Sequence, residues 1–130
     1  MILYNGELLA YLGDSIYEMK IREFLLTQNI GNVNKMHKEA IKYTSGQSQA
    51  KFILKMVQDG FLSEEEISYY HRGRNANHSK NRRTISVIDY KNATGFEALI
   101  GFLYLSKQED RINQIIEYIK AFVKEEENGK

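Results

Sequence analysis

Apolar residues recur along this chain at spacings of three and four in one block after another, and the strict alternation of a half-buried strand is almost nowhere convincing. The pattern predicts helix after helix. Asn5 is placed to cap a helix from about Gly6 to Gln28, which Asn29-Ile30-Gly31 stops. Asn32 or Asn34 opens a second helix to about Tyr43, and Ser45 a third that reaches Gln58 and ends at Asp59-Gly60. Ser63-Glu64-Glu65-Glu66 has the form of a capping box and launches a fourth toward His71. From about 73 to 91 the helical period is lost and the segment predicts a long loop. Asn92 or Thr94 then begins a fifth helix, and a last amphipathic one runs from about Glu109 to Lys124. The chain has no proline, no repeat and no internal composition boundary, so the expected fold is all-α: a compact helical bundle spanning 1–130 as a single domain. Tyr11, Phe24, Phe52, Phe96, Phe102 and Tyr104 fall in helical patterns and are expected mainly in its core.

Two of these helices carry acids where the pattern is otherwise apolar. Glu7, Asp14 and Glu18 lie within roughly 40° of one another on a helical wheel, apart from a stripe of Leu8, Leu12, Ile16 and Met19. Farther on, Thr94, Glu97 and Gly101 share a face. A carboxylate in apolar surroundings is costly unless it meets a cation or a metal. Gly13 beside Asp14 and Gly101 one turn from Glu97 suggest another backbone coming close, since glycine costs about 1 kcal/mol relative to alanine within a helix. If the two helices cross there, Asp14 and Glu97 converge on a hard-oxygen site suited to magnesium or manganese. A solvated acidic face is the plainer alternative. Glu18 has Arg22 four residues on and is expected to form a surface pair.

Composition narrows the chemistry. With 130 residues and no cysteine, the chain has one core's worth of apolar side chains, no disulfide framework and no thiol chemistry. His37, His71 and His78 lack zinc-ligand spacing, and no glycine-rich phosphate loop follows a strand. Gly31 and Gly73 are expected as ordinary turn or boundary residues, Ser45, Ser48 and Gln49 as capping and supporting groups, and Glu125-Glu126-Glu127 as a frayed tail. No apolar run approaches a membrane span and no signal segment opens the chain, so a cytoplasmic protein away from membranes is expected. The formal net charge of +1 conceals a partition: Arg72, Arg74, Lys80, Arg82, Arg83 and Lys91 face only Asp89 between 67 and 91, and the rest is net acidic. With Asn75 and its polar neighbours, this basic loop offers donors for phosphate and 2′-hydroxyl groups.

The segments Leu12-Gly13-Asp14 with Glu18 four residues on, and Phe96-Glu97-Ala98-Leu99-Ile100-Gly101, resemble the paired signature of the ribonuclease III catalytic domain. Ser45-Gly46-Gln47-Ser48-Gln49-Ala50 and Arg72-Gly73-Arg74-Asn75-Ala76 are similar to the short Mini-III branch of that family. The chain departs from the longer pattern in having Ala10 and Thr94 where that pattern has acids, as the short branch also does, while Glu7 matches the longer pattern's first acid. The resemblance implies a ribonuclease III-like endonuclease domain without an appended RNA-binding domain, and Mg²⁺-dependent cleavage of double-stranded RNA with Mn²⁺ able to substitute. It implies Asp14 and Glu97 as catalytic metal ligands, with Glu7 a further candidate toward the metal, and a homodimer that matures the precursor of 23S ribosomal RNA. RNA contacts are expected from Arg72, Arg74, Asn75, Lys80, Arg82 and Arg83. Two other readings remain open: a noncatalytic RNA-binding module of the same fold, and a helical domain whose basic loop binds an acidic protein.

Overall fold

The computed structural model describes residues 4–76 and 85–129. Six helices follow one another: α1 (Gly6–Leu26), α2 (Val33–Thr44), α3 (Gly46–Gln58), α4 (Glu64–Arg74), α5 (Val87–Leu105) and α6 (Glu109–Asn128). Side-chain oxygens set most of the starts. Asn5, Asn32, Ser45, Ser63 and Ser86 each accept from a backbone N–H inside the helix they open. At α4 the capping box is complete: Ser63 Oγ accepts from the Glu66 N–H at 3.1 Å, and the Ser63 N–H donates to the Glu66 carboxylate at 2.8 Å.

The expected fifth-helix boundary moves. Helix α5 begins at Val87 rather than at 92 or 94, because Ser86 caps it and Asp89 occupies its first turn. Val87 and Ile88 are exposed, so this first turn buries no apolar face and leaves no period in the sequence. Gly73 belongs to α4 rather than to a boundary, and the Thr94 carbonyl lies within 2.8 Å of where a Cβ would stand on it.

Helix α5 is the axis of the molecule, packed against α1, α3 and α4. From Asn92 to Leu103 every residue except Glu97 is buried. Helix α1 meets it through glycine. A Cβ on Gly13 would collide with the Glu97 carbonyl, and one on Gly101 with the Leu9 carbonyl, so both positions are held at glycine by backbone-to-backbone approach. The crossing inferred from the sequence is therefore present. Around it, Phe96 meets Tyr17 edge to face at 4.8 Å, and the Tyr17 hydroxyl donates to the Tyr43 carbonyl at 2.8 Å. Ile112, Ile115, Ile116, Ile119 and Val123 of α6 join the same hydrophobic cluster.

Three expectations about α1, α5 and α6 are corrected. The buried face of α1 is Leu9, Ala10, Gly13, Ile16, Tyr17, Ile21 and Leu25, about a third of a turn from the expected stripe; Leu8 and Met19 are about half exposed. Tyr11 is 84% exposed and Tyr104 43%, so neither belongs to the core. The acidic end of the chain is not frayed, because α6 continues to Asn128 and pairs Glu126 with Lys51 and Glu127 with Lys42. Glu18 does pair with Arg22, at 3.8 Å on the surface. No helix among the described residues is long and apolar enough to cross a membrane.

Candidate active site

The glycine crossing decides where the carboxylates go. Asp14 follows Gly13 on α1, and Glu97 lies one turn before Gly101 on α5, so the close approach of the two backbones brings both acids to the lip of one cleft. Thr44 at the end of α2, Gly46 and Gln49 of α3, Ile85 just before α5, and Tyr90, Ala93 and Thr94 of α5 complete the walls. The free space is about 40 Å³. Asp14 is exposed and hydrogen-bonds to none of the described residues, whereas Glu97 is half buried. With Asp14, Glu97 and Gln49 on its walls, the cleft presents hard oxygens and neither sulfur nor imidazole, a donor chemistry that fits a divalent ion of the magnesium type.

The two positions where the longer ribonuclease III pattern carries acids are accounted for. Ala10 is buried in the core, and the Thr94 hydroxyl, also buried, donates back to the Tyr90 carbonyl at 3.0 Å. Neither can supply a carboxylate. Glu7 is exposed in the first turn of α1 and does not line the cleft. Two turns separate it from Asp14, about 10 Å along the helix axis.

Ser45 and Ser48 are spent on structure, as expected: Ser45 Oγ accepts from the Ser48 N–H and donates to Ser48 Oγ at 2.9 Å. Gln49 is different. Only 2% exposed, it donates through Nε2 to the Thr44 carbonyl at 3.2 Å, and its Oε1 has no partner among the described residues. Spacing gave no warning of this, because a glutamine in a helical run resembles any polar surface residue.

Of the proposed RNA contacts, Lys80, Arg82 and Arg83 lie outside the described residues. Arg72, Arg74 and Asn75 stand at the end of α4. The Arg72 guanidinium lies over the Tyr69 ring at 4.4 Å and donates toward the Tyr4 carbonyl at 3.5 Å; Arg74 lies over Tyr70 at 5.6 Å and donates to the Asn75 side chain. Both are anchored by their stems and neighbours as well as charged.

An all-helical domain that locks two acids over an oxygen-lined cleft defines a class, and comparison supplies the family. Residues 7–108 match the ribonuclease III domain. The Mini-ribonuclease 3 of Acholeplasma laidlawii is 44% identical over 119 residues, covering 89% of this chain and 94% of that protein. That of Brevibacillus brevis is 40% identical over 124 residues, covering 95% and 91%. A crystal structure of a protein from Fusobacterium nucleatum superposes with a TM-score of 0.81 at 34% identity, covering 89% of this chain and 93% of that one. The chain belongs to the ribonuclease III family, in its Mini-ribonuclease 3 branch, and is by that membership an endoribonuclease. The family is in general dependent on divalent metal.

Proposed function

We propose that this endoribonuclease cuts double-stranded RNA at the cleft between α1, α3 and α5, with Asp14 and Glu97 as the ligands of Mg²⁺, for which Mn²⁺ can substitute. The observation that carries the reading is the convergence of these two acids, from helices far apart in sequence, through a crossing that only glycine permits. When bound, the ion supplies Lewis acidity to the scissile phosphate and lowers the pKa of water. The protein's part is to fix two anionic oxygens on rigid helices and to leave Asp14 open to an incoming phosphate. The basic segment that joins α4 to α5 in sequence, with Lys80, Arg82 and Arg83, would track the duplex backbone, with Arg72, Arg74 and Asn75 at the end of α4 beside it.

The family resemblance extends this reading to a homodimer maturing the 23S ribosomal RNA precursor in the bacterial cytoplasm. Support for the dimer comes from an apolar surface at the start of α1, where Leu8 and Tyr11 of the helix and Tyr4 just before it are more than half exposed among the described residues. Tyr4, Leu8, Leu9, Leu12 and Leu105 line a hollow of about 260 Å³ on the same side.

Incubation of duplex RNA with the protein and Mg²⁺, against an EDTA control, tests the reading. Cleavage only with the metal is expected, and Glu97→Gln and Asp14→Asn should each reduce it by more than about a hundredfold while sparing fold and RNA binding. Wild-type turnover by either variant would remove that residue from the site. Duplex binding without cleavage would identify a noncatalytic module instead.

A further inference from the structure

We propose that Gln49 is a third oxygen donor toward the divalent cation of this cleft, its Oε1 serving the cation or a water of its hydration shell. The inference rests on the reading of Asp14 and Glu97 as metal ligands and names the residue that offsets the acids absent at Ala10 and Thr94. Leaving a buried acceptor without a donor carries a desolvation penalty, so such an atom calls for a partner, an ordered water or an ion. Gln49 is buried to within 2% of its surface, and its Oε1 is without a partner among the described residues. The bond from Nε2 to the Thr44 carbonyl fixes which end of the amide is the unpaired one. That oxygen lies in a residue lining the same cleft as Asp14 and Glu97.

The cleft suits such a partner. About 40 Å³ of free space accommodates a few water-sized ligands or a partly hydrated ion. An amide oxygen is also an accepted ligand for hard cations, and it adds no charge. Asp14 comes from α1, Glu97 from α5 and Gln49 from α3, so the three donors hold the ion from three helices.

The test is Mn²⁺ binding to the full chain without RNA, followed by electron paramagnetic resonance of the free ion. Gln49→Met, which keeps the length and removes the acceptor, should weaken binding about three- to tenfold with an unchanged helical circular dichroism spectrum. Gln49→Glu should tighten it and make it depend more steeply on pH, because a buried carboxyl must lose its proton to serve the ion. Mn²⁺ affinity equal to wild type in Gln49→Met, with Glu97→Gln having lost it, overturns the role of Gln49. Weaker RNA binding by Gln49→Met at unchanged Mn²⁺ affinity overturns it too, and assigns Oε1 to an RNA hydroxyl. If Glu97→Gln itself binds Mn²⁺ like wild type, the metal reading of the cleft fails instead. Should Gln49→Met not fold, Gln49→Glu decides: wild-type affinity and pH slope there also overturn the proposal.

Discussion

Glu7 and Glu97 are the same side chain on two long helices, and their surroundings assign them different work. Glu97 sits at the cleft on a helix otherwise buried from Asn92 to Leu103, where replacing its charge would remove one of the two proposed metal ligands. Glu7 is exposed in the first turn of α1, where a carboxylate complements the helix dipole. Glu7→Gln is therefore expected to retain duplex cleavage within a few-fold, with any loss relieved by more Mg²⁺, while Glu97→Gln loses more than about a hundredfold. Single-turnover rates across a Mg²⁺ titration check this, and a Glu7→Gln defect as deep as that of Glu97→Gln would place Glu7 at the ion. The convergence of Asp14 and Glu97 was legible in the sequence through the glycines beside them and the ribonuclease III resemblance, since charge alone marks Glu7 and Glu18 equally and neither lines the cleft. Gln49 was not, because only a neighbouring carbonyl and a cleft distinguish a buried amide from a surface one. Leu8, Tyr11 and Met19 misled for a related reason: periodicity shows that a stripe exists but not whether it faces the core or another surface.

Between helices, two contacts set the geometry. At the α1–α5 crossing a methyl group has nowhere to go, since carbonyls on rigid helices stand in its place. Gly13→Ala and Gly101→Ala should each destabilise the fold by about 2 to 3 kcal/mol, read as a lower midpoint in urea, and should weaken Mn²⁺ binding by spreading Asp14 from Glu97. Full stability in both would mean that the helices are free to part. The second contact ties α6 to the start of α4. Arg111 forks onto the Glu66 carboxylate at 2.8 and 2.9 Å, donates to the Phe61 carbonyl at 2.6 Å and covers the Phe61 ring. Burial pushes the Glu66 carboxyl up, but the Arg111 bonds and the Ser63 N–H outweigh it and hold the group below its usual range. A depressed carboxylate adds stability that is present above its unfolded value, near 4.5, and is lost as pH falls through the folded one. Urea midpoints between pH 7 and pH 3 should therefore fall less in Glu66→Gln than in wild type; parallel curves would refute the link. The caps that start α1 to α4 were plain in the sequence, because an oxygen three residues before an N–H is a local device. The start of α5 was not, since Val87 and Ile88 bury nothing.

For the molecule as a whole, the question is how a chain of net charge +1 would hold the RNA duplex proposed as its substrate. A homodimer would double the basic surface, and the exposed α1 face gives it a seam: Tyr11→Asp with Leu8→Asp should shift sedimentation from dimer to monomer, and a wild-type profile would place the seam elsewhere. The helical bundle was legible at this scale because periodicity and caps are local, whereas an interface with a second copy leaves only exposed apolar residues that pattern alone sends to the core. The proposed grip on RNA separates into two kinds of arginine. Arg72 and Arg74 are held over Tyr69 and Tyr70, so removing both takes away packing as well as charge and should lower the melting temperature by a few degrees. Arg82 and Arg83, in the basic loop, are proposed to act by charge alone. Every phosphate that goes unneutralised should flatten the log-log salt dependence of duplex binding by somewhat less than one unit. Arg82→Ala with Arg83→Ala is thus expected to weaken binding across unrelated duplex sequences, reduce the slope by about one and a half units, and leave thermal unfolding unchanged. Because the loss is electrostatic, it should shrink as salt rises, and the mutant and wild-type lines should converge toward high salt. Parallel lines, or an effect confined to one duplex sequence, would mean that these arginines read bases or shape rather than meet phosphates.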